Sequence, residues 1–158
     1  MSGQDVLNTS GFTGCLAKAG LGIGSTPAEL SLAAPNGAGT DFAIDGIAYH
    51  LADDGTVVMT AISVQAVSTS CLYLVLLDSA GTLSTVKGNE VLTADLGVVG
   101  GSLQWPIPAA DLCPIGGFKV ALNASTTFTG ATTDLDAAGV TDTYYDFAGG
   151  VPLAPQIA

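Results

Sequence analysis

The side chains that could do chemistry in this chain are few, and no spacing gathers them. His50 is the sole histidine. A hydrolytic triad needs a nucleophile, a base and an orienting acid, and no serine here lies in a G-x-S-x-G turn that would present its hydroxyl to a base. In the stretch IAYHLA, His50 shares a strand face with Ala48 and Ala52 and alternates with Tyr49 and Leu51, the pattern of a half-exposed strand position. Cys15, Cys71 and Cys113 make an odd count without metal-ligand spacing. Cys113 precedes Pro114 and has no basic neighbour to lower its pKa, so all three read as small hydrophobes rather than reactive thiolates. No disulfide, metal or cofactor is expected.

Two glycine- and aspartate-rich stretches imitate binding loops. AGLGIGST lacks the G-x-G-x-x-G spacing, and no strand or βαβ pattern precedes it, so its glycines read as conformational freedom and not as a phosphate cradle. Asp134-Leu135-Asp136-Ala137-Ala138-Gly139 opens like a calcium loop, but position 5 would be Ala138 and position 12 Tyr145. That substitution removes oxygens the ion needs, and a β-turn is the better reading. Trp105, between Gln104 and Pro106, could stack on a sugar, yet a single aromatic in a proline-rich crossover reads more simply as a plug over one end of the core. The chain reads as a non-enzyme.

The elements around these residues are strands. The run Cys71–Leu77 carries no charge until Asp78 and is too short to span a bilayer, which predicts a strand buried on both faces. Asp45-Gly46, between Phe42–Ile44 and Ile47–Tyr49, is a two-residue hairpin signal because such a turn needs positive φ at both positions, and Asp53-Asp54-Gly55 looks like a second one. Thr56–Ser63, Ser70–Leu77, Leu83–Lys87, Phe118–Leu122, Thr126–Phe128 and Val140–Tyr145 are short, β-branched or aromatic, and bounded by Gly, Pro, Asp or Asn. Pro106, Pro108 and Pro114 exclude a central strand from GGSLQWPIPAADLCPIGG and mark a long crossover. The expected fold is all-β, an antiparallel β-sandwich or jelly-roll-like domain over residues 41–150, followed by a tail at 151–158.

Residues 1–40 differ in texture. Glycines interrupt any period, yet Leu7, Phe12, Leu16, Leu21, Ile23, Leu30 and Leu32 recur through them. Disordered linkers are polar, so an apolar but irregular segment reads as an extended N-terminal arm that gains its burial against a neighbouring surface, with a short helical turn near Cys15–Ala19. The alternative is a strand-and-loop entry into the same core. Under the arm reading these seven apolar residues are the candidate binding set, and deletion of residues 2–30 should leave a folded β-domain.

Composition bounds the partners. Only 11% of the 158 residues are charged, against roughly a quarter in an ordinary soluble domain. A surface so short of charge is poorly protected against association, which suits a subunit packed against other subunits, copies of itself included as a dimer or trimer. Lys18, Lys87 and Lys119 are the only basic side chains, and the formal net charge is −11. Phosphate contacts need Lys or Arg, so neither nucleic acid nor an anionic membrane surface is an expected partner. The start MSGQDVLNTSG has no basic or apolar leader region, and no run of about 18 apolar residues offers an anchor, so synthesis in a cytoplasm is expected.

Three segments together, TSCLYLVLLDSAGTLSTVKGNEVL, LQWPIPAADLCPIGGFKVAL and TFTGATTDLDAAGVTDTYYDF, resemble a family of small tailed-bacteriophage virion proteins regarded as head cement or decoration proteins. The resemblance runs from about Phe42 to Phe147, and CPIGGFKVAL and AAGVTDTYYD are its most specific pieces. It implies a β-rich, non-enzymatic subunit on the outer surface of the virion that binds and reinforces the lattice of the major capsid protein, with no catalytic residues to carry over. A head-fibre base or carbohydrate-binding host-adhesion module is the alternative. Such a module would cluster aromatics on one concave face, whereas the Trp, Tyr and Phe residues here are scattered along the chain.

Overall fold

In the computed structural model, residues 11–98 and 100–148 are described; they form an antiparallel all-β domain whose only helical piece is a 3-10 turn at Thr93–Asp95. Ten strands follow one another: β1 (Gly14–Cys15), β2 (Leu21–Ile23), β3 (Leu30–Leu32), β4 (Thr40–Ile44), β5 (Ile47–Leu51), β6 (Asp54–Val57), β7 (Thr69–Leu77), β8 (Leu83–Leu92), β9 (Cys113–Leu122) and β10 (Val140–Asp146). They make a four-stranded sheet of order β10-β9-β7-β8 and two small sheets, β1-β4-β5 and β2-β3-β6. Inward side chains of all three sheets meet in one core, so the large sheet forms one layer of a sandwich and the two small sheets the other.

The Cys71–Leu77 run occupies the centre of the large sheet, and every residue of β7 is buried. Cys71, Tyr73, Val75 and Leu77 point into the main core, while Leu74 and Leu76 point to the opposite face, where they meet Val86, Trp105, Leu112, Tyr145 and Phe147. A strand buried on both faces cannot alternate apolar with polar, which is why this segment is apolar throughout. The crossover after β8 covers that second face. Its path is fixed by Asn89, whose side-chain amide donates to the Ser102 carbonyl at 3.0 Å and accepts from the Gln104 N–H at 2.9 Å.

β9 is where both faces of the sheet are fitted to their covers. Pro114 lies inside this strand, contrary to the expectation that the prolines exclude it: the proline sits opposite Leu76 beside a register shift, past the end of the pairing with β10, where no ladder N–H is required. The same irregularity changes the inward phase, so that Cys113 and Ile115 on one side of it, and Phe118, Val120 and Leu122 on the other, all face the main core. Gly116 and Gly117 follow the bulge. A Cβ on Gly116 would lie 2.4 Å from Leu21 Cδ1, and one on Gly117 would lie 2.3 Å from the Trp105 ring. The glycine pair therefore admits Leu21 on the core face and Trp105 on the other.

The hairpin at Asp45-Gly46 forms as the sequence predicts, with φ of 51° and 81° at the two turn residues and Ile44 opposite Ile47. Asp53-Asp54-Gly55 is not a second hairpin: Asp54 and Gly55 begin β6, which pairs with β3, so the chain changes sheets there. Beyond Val57, residues 58–63 run without regular pairing, and Phe128 contributes a single bridge to Gln65.

The N-terminal part is extended and mostly irregular, with strands of only two or three residues. Its burial, however, is provided by the chain itself. Cys15, Ala19, Leu21, Leu30 and Leu32 belong to the same core cluster as β7 and β9, so residues 11–40 follow the strand-and-loop alternative and share one packed body with residues 41–148. The expected helical turn near Cys15–Ala19 is absent; Cys15 is paired with Phe42 in β1. The 151–158 tail lies outside the described residues.

Candidate functional site

The seven apolar residues singled out in the N-terminal part divide cleanly. Leu30 and Leu32 are 0% and 2% exposed and Leu21 is 8% exposed, so these three are core residues and not a binding surface. Their register explains it: Leu21 pairs with Leu32, Ile23 with Leu30, and Leu21 fills the space left by Gly116. Phe12, Leu16 and Ile23 remain 45%, 55% and 37% exposed. Leu7 lies outside the described residues.

Phe12 and Leu16 flank β1 on the β1-β4-β5 sheet. The Phe12 carbonyl accepts from the Gly46 N–H at 3.0 Å, and the Leu16 N–H donates to the Asp41 carbonyl at 2.8 Å. Thr13 fastens the same end of the sheet, its hydroxyl accepting from the Asp45 N–H at 3.0 Å. Both apolar side chains are thus carried on backbone pinned to the β4–β5 hairpin, an arrangement that holds them at the surface without spending ordering entropy on contact. The Cys15 thiol beneath them donates to the Ala17 carbonyl and lies 3.4 Å from the Thr40 hydroxyl.

On the outer face of that sheet, His50 Nδ1 lies 2.8 Å from Asp41 Oδ1, and both side chains are 56% exposed. This is a cross-strand pair on a strand surface, the position the sequence assigned to His50. The described residues hold no group of three or more His, Cys, Asp or Glu that could hold a metal ion. The Asp134–Gly139 stretch is a succession of turns in which Leu135 is buried in the core and its N–H donates to the Pro27 carbonyl at 2.9 Å. Trp105 packs edge-on against Tyr145 and Phe147 at 5.0–5.5 Å between ring centroids, covering a sheet face rather than an end of the core, so its ring is engaged within the fold.

Two of the thiols are chemically quiet. Burial pushes Cys71 up to about 11 and Cys113 up to about 12, and the nearby Cys15 adds to the rise at Cys113. Neither is a thiolate near neutrality.

Sequence reasoning did not find the polar cluster around Gln65 and Glu90. Gln65 is fully buried; its amide N–H2 donates to the carbonyls of Thr69 at 3.0 Å and Val120 at 3.1 Å, and its Oε1 accepts from the Tyr73 hydroxyl at 2.7 Å. Beside it, Lys87 donates to Glu90 and to the Val64 carbonyl at 2.7 Å, while Glu90 accepts from the Ala66 N–H at 3.0 Å. Burial works against the charge on Glu90, but the bonds from Lys87, Ala66 and Thr69 outweigh it and hold the carboxyl below the usual range. These bonds tie the irregular 58–68 segment to the large sheet.

Comparison with protein-family models, curated proteins and solved structures finds no match. No helix of the described residues is long and apolar enough to cross a membrane.

Proposed function

We propose that the chain is a non-enzymatic structural subunit that binds the outer surface of a bacteriophage head and cements or decorates the lattice of the major capsid protein. The observation that carries this reading is the division of the N-terminal apolar set: Phe12, Leu16 and Ile23 stay at the surface while their neighbours Leu21, Leu30 and Leu32 enter the core. A further support is the resemblance borne by CPIGGFKVAL and AAGVTDTYYD. Both sequences are framework here, since the first supplies the bulge and glycine pair of β9 and the second the edge strand β10. The acidic balance favours the outside of a head over its lumen, where packed DNA would repel a net charge of −11.

Lattice binding of this kind is multivalent. Each copy joins capsid subunits, and neighbouring copies raise one another's effective concentration, so modest contacts made by a few apolar side chains suffice. The test is cosedimentation of the purified protein with heads lacking it, comparing the parent chain with Phe12→Ser/Leu16→Ser. Loss of binding by a variant with an unchanged melting temperature is the expected result. Full occupancy by that variant would remove these residues from the attachment surface.

A further inference from the structure

The free edge of β5 differs from every other sheet edge in the described residues. In a two-residue hairpin the residues flanking the turn form a hydrogen-bonded pair, so Ile47, Tyr49 and Leu51 bond to β4 while the N–H and C=O groups of Ala48 and His50 point away from it. β5 ends its sheet on that side, and no described residue hydrogen-bonds to those outward groups. The strand Ile47-Ala48-Tyr49-His50-Leu51 contains no Lys, Glu, Pro or bulge, the devices that ordinarily keep an edge from pairing.

The other edges are guarded. Along β8, Thr60 accepts from the Thr85 N–H at 3.3 Å, and Lys87 bonds to the Ser63 and Val64 carbonyls. On β10, Phe147 donates to Ile115 and Gly139 accepts from Asn123, so the backbone groups of Val140, Asp142, Tyr144 and Asp146 point away from β9, on a strand that carries two carboxylates. β1 and β2 are two and three residues long, and β6 carries Asp54 and accepts at Gly55 from the Ser25 N–H.

We propose that β5 pairs antiparallel with β5 of a second copy, making a two-fold dimer. The proposal is independent of capsid binding. A two-fold axis at Tyr49 sets Ala48 opposite the second copy's His50, and His50 opposite its Ala48, so that all four outward N–H groups of the two strands find carbonyls. This register brings no like charges face to face. His50 meets an alanine, and its ring is already drawn back over its own sheet by Asp41. On the inward face, Ile47, which is 60% exposed, comes opposite the second copy's Leu51, and the two Tyr49 rings meet at the axis. Each copy presents the same patch, so the interface closes at two and does not propagate.

The experiment is sedimentation equilibrium of the full chain over a wide concentration series, with amide hydrogen exchange resolved by residue. The parent protein should approach twice the chain mass, with exchange at Ala48 and His50 slowing as concentration rises. Ala48→Pro removes an outward N–H from each copy and touches no bond to β4, so it should raise the dimer dissociation constant roughly tenfold or more while circular dichroism stays native. Ile47→Lys, which leaves the backbone intact and sets a charge in the seam, should do the same if the proline variant fails to fold. A parent chain that remains monomeric, or a dimer that withstands both substitutions, overturns the proposal.

Discussion

Tyr73 shows how one side chain can settle a core. Its ring stacks on Phe118 at 4.9 Å and meets Phe128 edge-on at 5.6 Å, while its hydroxyl satisfies Gln65, which in turn satisfies two carbonyls. Tyr73→Phe keeps the stacking but leaves the buried Gln65 oxygen without its donor, so a loss of about 1–3 kcal/mol is expected from urea unfolding. Ionisation at this scale gives a second prediction. Glu90 has a folded pKa below its unfolded value, so its contribution is present above the ordinary glutamate range and is lost as pH falls through the lower folded value. Cys71, raised to about 11, behaves oppositely: its contribution is complete below the ordinary thiol value and disappears as pH climbs toward 11. Chemical denaturation across pH should therefore give a plateau with falling limbs on both sides, and Glu90→Gln should flatten the acid limb, with a smaller softening of the basic limb because the Glu90 charge also helps to raise Cys71. An acid limb of unchanged steepness in that variant would remove Glu90 as its source.

At the scale of elements, the sequence was most informative where pattern and burial coincide. The Cys71–Leu77 run and the Asp45-Gly46 hairpin could be read because two-sided burial demands an uninterrupted apolar string and a two-residue turn demands positive φ. The sequence signals too short a β9, because Pro114 speaks against a strand unless a bulge sits beside it, and bulges leave no periodic trace. The N-terminal strands were hidden for a related reason: pieces of two or three residues cannot show a period, and their partners lie far away in sequence, as Leu21 on Gly116 illustrates. The exposed half of the candidate surface was legible as residue type but not as placement, since Phe12 and Leu30 look alike until register separates them. Gly117→Ala tests the element that joins both covers. Its new methyl would run into the Trp105 ring and the Tyr73 carbonyl, so a destabilisation of about 1–3 kcal/mol is expected. Trp105 is the sole tryptophan, and its emission should shift red as the ring is displaced.

At the scale of the whole molecule, the packing of residues 11–40 decides which truncations leave a subunit. Removing residues 2–30 takes away β1 and β2 together with Leu21 and the start of β3, which uncovers Gly116 and opens the core beneath β9. That deletion should abolish cooperative unfolding, whereas removal of residues 2–10 spares β1, β2, β3 and Leu21 and should retain it. The shorter truncation is therefore the proper vehicle for asking what the surface does. If Phe12, Leu16 and Ile23 are the grip, the truncated chain still carries all three, and heads decorated with it should lose DNA at a higher temperature than bare heads. The scale follows from linkage: a partner that binds only the intact lattice stabilises it by about 2.7 kcal/mol per site at a hundredfold excess over Kd. Because the contact is apolar and the chain has only three lysines to form ion pairs, that gain should change little between low and moderate salt. Equal loss temperatures for decorated and bare heads would leave passive decoration in place of cementing, and a steep salt dependence would transfer attachment from these apolar side chains to the carboxylates around them.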